Sequence, residues 1–583
     1  MVRSAQAAML LTASLAVVPG LARAQSPVEI LGVADEDRRE AIRAILPDRD
    51  RPETLFDAER IAEEAAQKVR LWLRSEGYYG GAAVPIATPN PPRAAVEVDF
   101  GAPYLFAPPR AEYAGRAPPE EVQLRVREAL ATIAAGGRAR AEVVLAAEAA
   151  AVAALQAAGY PEAEAGERLA VVDHGDETMT VTLRLAPGRR AFLGEVRLAE
   201  GARLRQSYLD NLHDWERGEP YSPEEILTLR RDLTQTGAFE GVGVALAEEG
   251  EDGLSDVVVT LEPARPYQLS LGASFSTTEG GGATADFLIR NPTRRADSLT
   301  LTLTAAELQQ RLAAVWRRPN ALGRGRTLAI LGEISRDDVL PFERQGVRFG
   351  AEFEPRDDVR LATSFGGEVA ADIFDQAAGV ENALVLSVFG AVRYDTTDSE
   401  LDPRRGFILE AREAPSVSTG DASLLFSRTT ASASAYTSPF GPRFTLAGRL
   451  GFGWVQPLFG DADRLPLNRR FFAGGGGSVR GYEFRSIFPS AAPGTQEPPG
   501  GQGLLESTVE GRFRFSGRLG AAVFADSGAA FNNFGEIQPL YGVGAGLRYD
   551  LGFGPLRIDF ATALSDAPGA QDVAFYFSLG QAF

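Results

Sequence analysis

The spacing of apolar residues changes once along this chain, near Tyr267. Before it, apolar positions recur every three or four residues, as on the buried face of a helix, and short alternating runs lie between these stretches. After it the helical interval disappears and strict alternation takes over. The first part also repeats. Leu73–Tyr79 (LRSEGYY), Leu155–Pro161 (LQAAGYP) and Leu233–Phe239 (LTQTGAF) align on Gly77, Gly159 and Gly237, about 80 residues apart. Each glycine closes a helical pattern, where a left-handed residue is needed to stop the helix, and an aromatic or small apolar residue then turns back to the core. In the third copy the helix start is legible too: Ser222 as cap, Pro223 in the first turn, Glu225 completing the box, then Ile226, Leu229 and Leu233 on one face. Alternating runs from Ala94, Thr180 and Val257 follow the glycines. The pattern predicts three α+β modules, at 25–103, 104–189 and 190–266.

From 267 to 583 the alternation sorts residues by chemistry. Phe444, Leu446, Leu450, Phe452 and Trp454 share one face against Thr445, Ala447 and Arg449, and Leu556, Ile558, Phe560 and Leu564 oppose Arg557 and Asp559. A soluble sandwich also alternates, so number and length decide. The segment has room for about 16 strands of ~10 residues, which predicts a transmembrane antiparallel β-barrel at 267–583. Its last strand is apolar at period two through Val573, Phe575, Phe577, Leu579 and the terminal Phe583, a closing strand whose end would serve as an assembly signal. Gly272 and Ser274 near the start of the barrel, with Ser578 and Gly580 near its end, predict a lightly packed closure.

The extreme N-terminus departs from both patterns. Arg3, the apolar stretch Ala8 to Val18 and the small pair Ala22 and Ala24 read as a secretory signal peptide over 1–24. Zero cysteines exclude disulfides and thiol chemistry, and a net charge of −19 argues against nucleic acid as a partner. His174 and His213 are the only histidines, there is no GxSxG, HExxH or phosphate-loop match, and the run Gly474–Gly477 is followed by no lysine. The expectation is a protein without catalytic residues, metal or cofactor. His174 is expected to be a solvated turn residue, His213 and Trp215 to pack in the third module, and Ser527 to be an ordinary strand residue.

Residues 471–484, FFAGGGGSVRGYEF, hold the motif Val479, Arg480, Gly481, Tyr482. With the repeated modules before it and the aromatic C-terminal strand after it, this chain resembles the outer-membrane assembly and translocation superfamily, whose members carry POTRA modules ahead of a 16-stranded barrel. Further matches are Asp395, Asp398, Pro403 and Gly406 in YDTTDSELDPRRGF, then Phe524, Asp526 and Gly528 in VFADSGAAF, and Glu510 in STVEGRF. The first of these also reads as a turn, with aspartates holding local amides, proline fixing φ and glycine relieving the backbone. Three modules with this length are most similar to the translocation-and-assembly-module (TamA) branch. The resemblance implies that the VRGY loop folds into the lumen and that Arg480 meets Asp526 first and Glu510 second. It also implies an outer-membrane location with the modules in the periplasm. The work would be on nascent outer-membrane or autotransporter proteins, with a TamB-like inner-membrane-anchored partner. A BamA-like insertase, a secretion pore, a passive channel and a lipid-transport component remain open.

Overall fold

The computed structural model describes residues 26–339, 342–355, 360–376, 379–400, 402–420, 423–489, 499–515, 517–551 and 555–579. The expected signal peptide, Gly580 and Phe583 lie outside them.

The three repeats fold as small α+β modules. In the first, the helix Leu55–Ser75 starts where the Thr54 side chain accepts from the Asp57 N–H, and it buries Ala58, Ile61, Ala62, Ala65, Val69 and Leu73 at three- and four-residue steps. It packs on a sheet ordered Val28–Leu31, Pro92–Asp99, Ala82–Pro89. In the second, Ala141–Ala157 pairs with Glu120–Leu130 beside a sheet centred on Thr178–Ala186. The third has Ser255–Pro263 between Phe239–Leu246 and Leu193–Leu198, with the helix Pro223–Gln235 burying Leu229 and Leu233. Gly77, Gly159 and Gly237 all have positive φ (84°, 96° and 67°), the left-handed stops their spacing predicts. The chain divides into two compact units inside the third module. One holds residues to Leu193 with 216–224 and 249–255; the other holds 194–215, 225–248 and everything from Asp256 onward.

His174 is a turn residue open to solvent, as expected, with one added contact. Its Nδ1 lies 2.7 Å from the Tyr104 hydroxyl and its ring meets Tyr104 edge-on. His213 and Trp215 stack as expected, with centroids 4.2 Å apart.

The second unit contains a closed barrel of 16 antiparallel strands in sequence order, from Tyr267–Ser276 to Ala574–Leu579. Burial settles the ambiguity that alternation leaves open. On the eighth strand, Gly379–Asp395, Leu384, Leu386 and Val388 face outward at 47–61% exposure, while Val385 and Ser387 between them are essentially sealed inside. Elsewhere Glu333, Asp337, Asp372, Glu510 and Asp526 are buried in the interior. Apolar outside and ionic inside is the arrangement of a barrel whose outer solvent is lipid. Among the described residues no helix is long and apolar enough to cross a membrane.

Closure is uneven. The first strand pairs with the second at ten positions but with the sixteenth at four among the described residues: Ala273↔Leu579, Ser274↔Ser578, Phe275↔Phe577 and Ser276↔Tyr576. The fifteenth and sixteenth share six.

Within the second unit, residues 194–215 and 225–248 of the third module meet a turn of the barrel. Arg324, in the turn between the fourth strand (Gln309–Arg318) and the fifth (Arg326–Val339), donates to Asp232 at 2.7 Å and to Asp214 at 2.7 Å. Asn320 of the same turn donates to the Tyr208 hydroxyl at 3.1 Å. Burial dominates at Tyr208 and pushes its phenol up to about 12.

Candidate lumenal lock and strand seam

The connection between the eleventh strand (Phe444–Phe459) and the twelfth (Gly503–Arg514) turns back into the barrel. Leu465 and Phe471 pack with Val385, Phe426 and Val455, and Leu467 packs with Phe342 and Phe374, so the loop is anchored by apolar contacts before the VRGY motif begins. Val479 and Tyr482 are then wholly buried. The Tyr482 hydroxyl donates to the Ser565 carbonyl at 3.1 Å, and the Gln571 N–H donates to the Gly481 carbonyl at 2.8 Å. Gly481 has φ +100°, and a Cβ there would lie 2.7 Å from the backbone of Thr562 and Ala563.

Arg480 lies at the centre. Its Nε and Nη2 donate to the two carboxylate oxygens of Asp526 at 2.7 and 2.9 Å, and its backbone N–H adds a third bond at 3.2 Å. Nη1 reaches Glu510 at 3.5 Å and Asp559 at 3.4 Å, and the guanidinium lies over the Phe524 ring with its carbon 3.2 Å from the centroid. The residues expected as partners are therefore brought together in the expected order. Asp559 is the third acid, and sequence reasoning missed it as a partner, although its place opposite the apolar face of Leu556 to Phe560 marked it as lumenal. Arg512 donates to Glu510 at 2.7 Å, and Arg548 contacts both Glu510 and Asp559. Three guanidiniums thus meet three carboxylates, all but shut off from water. Such a cluster is tolerable only because every charge is paired.

The wall that carries Asp526 is also shaped to admit the loop. On the fourteenth strand, Leu540–Asp550, a Cβ added at Gly542 would collide with the carbonyl oxygen of Arg480, and one added at Gly528 on the thirteenth, Leu519–Phe531, would meet Val479 at 2.5 Å. The signal for this was readable: Gly542, Gly544 and Gly546 repeat at period two on one face. Gly542→Ala is expected to push the loop off the wall without touching a charge, at a cost of about 1–3 kcal/mol. Increased protease cleavage between Gly474 and Arg485 in a barrel that is still folded would be the readout.

The loop also touches the seam. The Gly476 N–H donates to the Glu279 carboxylate at 2.6 Å just beyond the first strand, and the Gly481 N–H donates to the Tyr576 hydroxyl of the sixteenth at 3.0 Å.

The second motif is the turn before the ninth strand, Gly406–Gly420. Asp395 accepts from the Thr397 N–H at 2.9 Å, and Asp398 accepts from the N–H groups of Arg404 and Arg405 at 2.9 and 3.2 Å. Pro403 is buried, and Gly406 has φ +99° with the Thr396 carbonyl where a Cβ would stand. The Arg404 N–H holds the Asp398 carboxyl below the usual carboxylate range. Its contribution to the turn is therefore present above the ordinary aspartate pKa and is lost only as pH falls through the depressed value. Ser527 is a strand residue facing Ser507, as expected.

The profile of the Omp85 superfamily domain matches residues 267–583, more than half of the chain. The chain belongs to the Omp85 superfamily. This Omp85 chain is similar to outer membrane protein assembly factor BamA of Neisseria meningitidis serogroup B, 27% identical over 223 residues covering 32% of this chain and 27% of the relative. It is also similar to BamA of Nitratidesulfovibrio vulgaris, 25% identical over 390 residues, 63% of this chain and 48% of the relative. The matched stretches thus span less than half of each relative's length. The crystal structure of BamA from Haemophilus ducreyi lacking POTRA domains 1–3 superposes with a TM-score of 0.68 at 16% identity, over 82% of this chain and 100% of that one, a likeness of fold. The Omp85 barrel is an outer-membrane barrel, and its N-terminal α+β region is consistent with POTRA modules.

Proposed function

We propose that this Omp85 protein assembles other proteins into the outer membrane by opening its barrel between the first and last strands. The observation that carries the reading is the four-pair seam, the shortest in a ring whose other strand pairs have six or more residue pairs among the described residues. A ring of hydrogen bonds parts where fewest must be broken. Parting exposes two strand edges on which an incoming strand can pair by β-augmentation. The modules would lie in the periplasm and guide clients to the barrel mouth. A count of three modules favours the TamA branch, with a TamB-like inner-membrane-anchored partner and autotransporters among the clients. The names of the curated relatives favour a BamA-like insertase acting on barrel clients generally. Both share the seam step.

The test is reconstitution. In liposomes the protein is expected to speed the folding of a urea-unfolded outer-membrane barrel client by at least tenfold over empty liposomes, read as heat-modifiable mobility. No acceleration with any barrel client would sink the assembly reading. Co-purification of a TamB-like protein from the native membrane separates the TamA branch from the BamA one.

A further inference from the structure

We propose that the lumenal wall below the inserted loop carries an anion site, centred on Arg412 and Arg428, that takes a phosphate group. The ninth strand and the tenth, Leu424–Thr437, place the two arginines together: Arg412 pairs with Thr430, so Arg428, two residues away on the same face, is its diagonal neighbour. Both line a cavity of about 990 Å³ that runs from the barrel mouth at Asp232 to the underside of the loop at Phe471. Each guanidinium is stacked on a ring, Arg412 over Phe389 at 3.6 Å and Arg428 over Phe471 at 4.4 Å, so its fork is oriented before any ligand arrives.

Charge balance distinguishes this patch from the Arg480 cluster. Glu368 is shared by Arg348 at 3.8 Å, Arg412 at 3.7 Å and Arg469 at 3.4 Å, and Glu333 by Arg348 at 2.9 Å and Arg311 at 3.7 Å. Arg428 has no carboxylate within 4.0 Å among the described residues; its one bond runs from Nε to the Arg469 carbonyl at 3.4 Å. Counting Glu352, whose charge also acts on Arg412, five guanidiniums therefore meet three carboxylates. Glu368 and Glu333 stand behind the lining; the acids of the lining itself are mostly engaged: Asp232 with Arg324, Glu354 with Arg317, Glu410 with Arg393, and Glu506 with Ser478. Glu352 makes no ion pair within 4.0 Å among the described residues. A carboxylate would neutralise one of the surplus charges, whereas a phosphate can neutralise two and offers oxygens to both forks, with the Thr430 hydroxyl at hand. The phosphate could be the free ion or the headgroup of a lipid.

The experiment uses the full chain in a zwitterionic detergent, with binding read by titration calorimetry and by the thermal midpoint. The probes are inorganic phosphate, glycerol 3-phosphate and dihexanoyl phosphatidic acid below its micellar concentration, with chloride at matched ionic strength and a hexaglutamate peptide as comparisons. Saturable binding of the phosphate probes is expected, weakened at least tenfold by Arg428→Gln and less by Arg428→Lys, which keeps the charge but loses the fork. Glu368→Gln is expected to tighten binding, a gain that a misfolded variant cannot mimic. Equal affinity for all three phosphates assigns the free ion; saturation by phosphatidic acid alone assigns a lipid headgroup. Binding no different from chloride, binding that survives Arg428→Gln unchanged, or binding of hexaglutamate alone overturns the proposal.

Discussion

Arg480→Ala is expected to abolish client assembly while leaving a heat-modifiable barrel in the membrane. The substitution removes the two guanidinium hydrogen bonds to Asp526 and the contacts to Glu510 and Asp559, keeps only the backbone N–H bond to Asp526, and leaves three buried carboxylates short of their central cation. Removing one partner from a buried ion cluster costs about 3–5 kcal/mol, because the orphaned charge stays out of water. The barrel wall does not carry that loss, since its ladder bonds are untouched. It falls on the loop, whose remaining anchors include the Tyr482 hydroxyl, the Gln571 bond, the bonds to Glu279 and Tyr576, and the apolar contacts of Leu465, Leu467 and Phe471. Arg480→Lys is expected to recover little, because an ammonium cannot bridge both oxygens of Asp526. The decisive measurement is a double-mutant cycle with Asp526→Ala on assembly rate and loop protection. Strong non-additivity is expected, and losses that simply add would mean that the two residues do not act as a pair.

The second large effect concerns the seam. Ser274 and Ser578 lie directly opposite each other, and the chain has no cysteine of its own, so Ser274→Cys with Ser578→Cys gives one defined cross-link. Oxidised, the pair is expected to stop client assembly, and a thiol reductant is expected to restore it. Either cysteine alone should leave activity near the parent level, since a serine-to-cysteine change at a strand pair removes no ladder bond. Full activity in a quantitatively oxidised sample would show that the barrel works closed, and the reading under which the seam parts would be abandoned. The same sample also tests the link from seam to loop. Tyr576 and Glu279 hold the N–H groups of Gly481 and Gly476, so a locked seam should raise the protection of 474–485 from exchange.

Much of the architecture was legible before any coordinates. The helix stops at Gly77, Gly159 and Gly237, the 16-strand count, the turn built on Asp395, Asp398, Pro403 and Gly406, and the pairing of Arg480 with Asp526 were all written in local pattern or motif. Contacts between segments distant in sequence were not. Asp559 lies 79 residues from Arg480 and comes to it only when the fifteenth strand takes its place in the ring. The latch from Arg324 to Asp232 spans 92 residues, and neither residue stands out in its own neighbourhood.

By itself the sequence determined what depends on periodicity and residue type, where helices end and which strand face is apolar, and through its motifs the resemblance that implied carboxylate partners for Arg480. That Asp559 joins the acids around Arg480, and that Arg428 lines a cavity with no carboxylate within 4.0 Å of it among the described residues, were decided by closure. Strand register and the shear of a closed ring set which lumenal side chains become neighbours, and no local stretch of the chain encodes that arrangement alone.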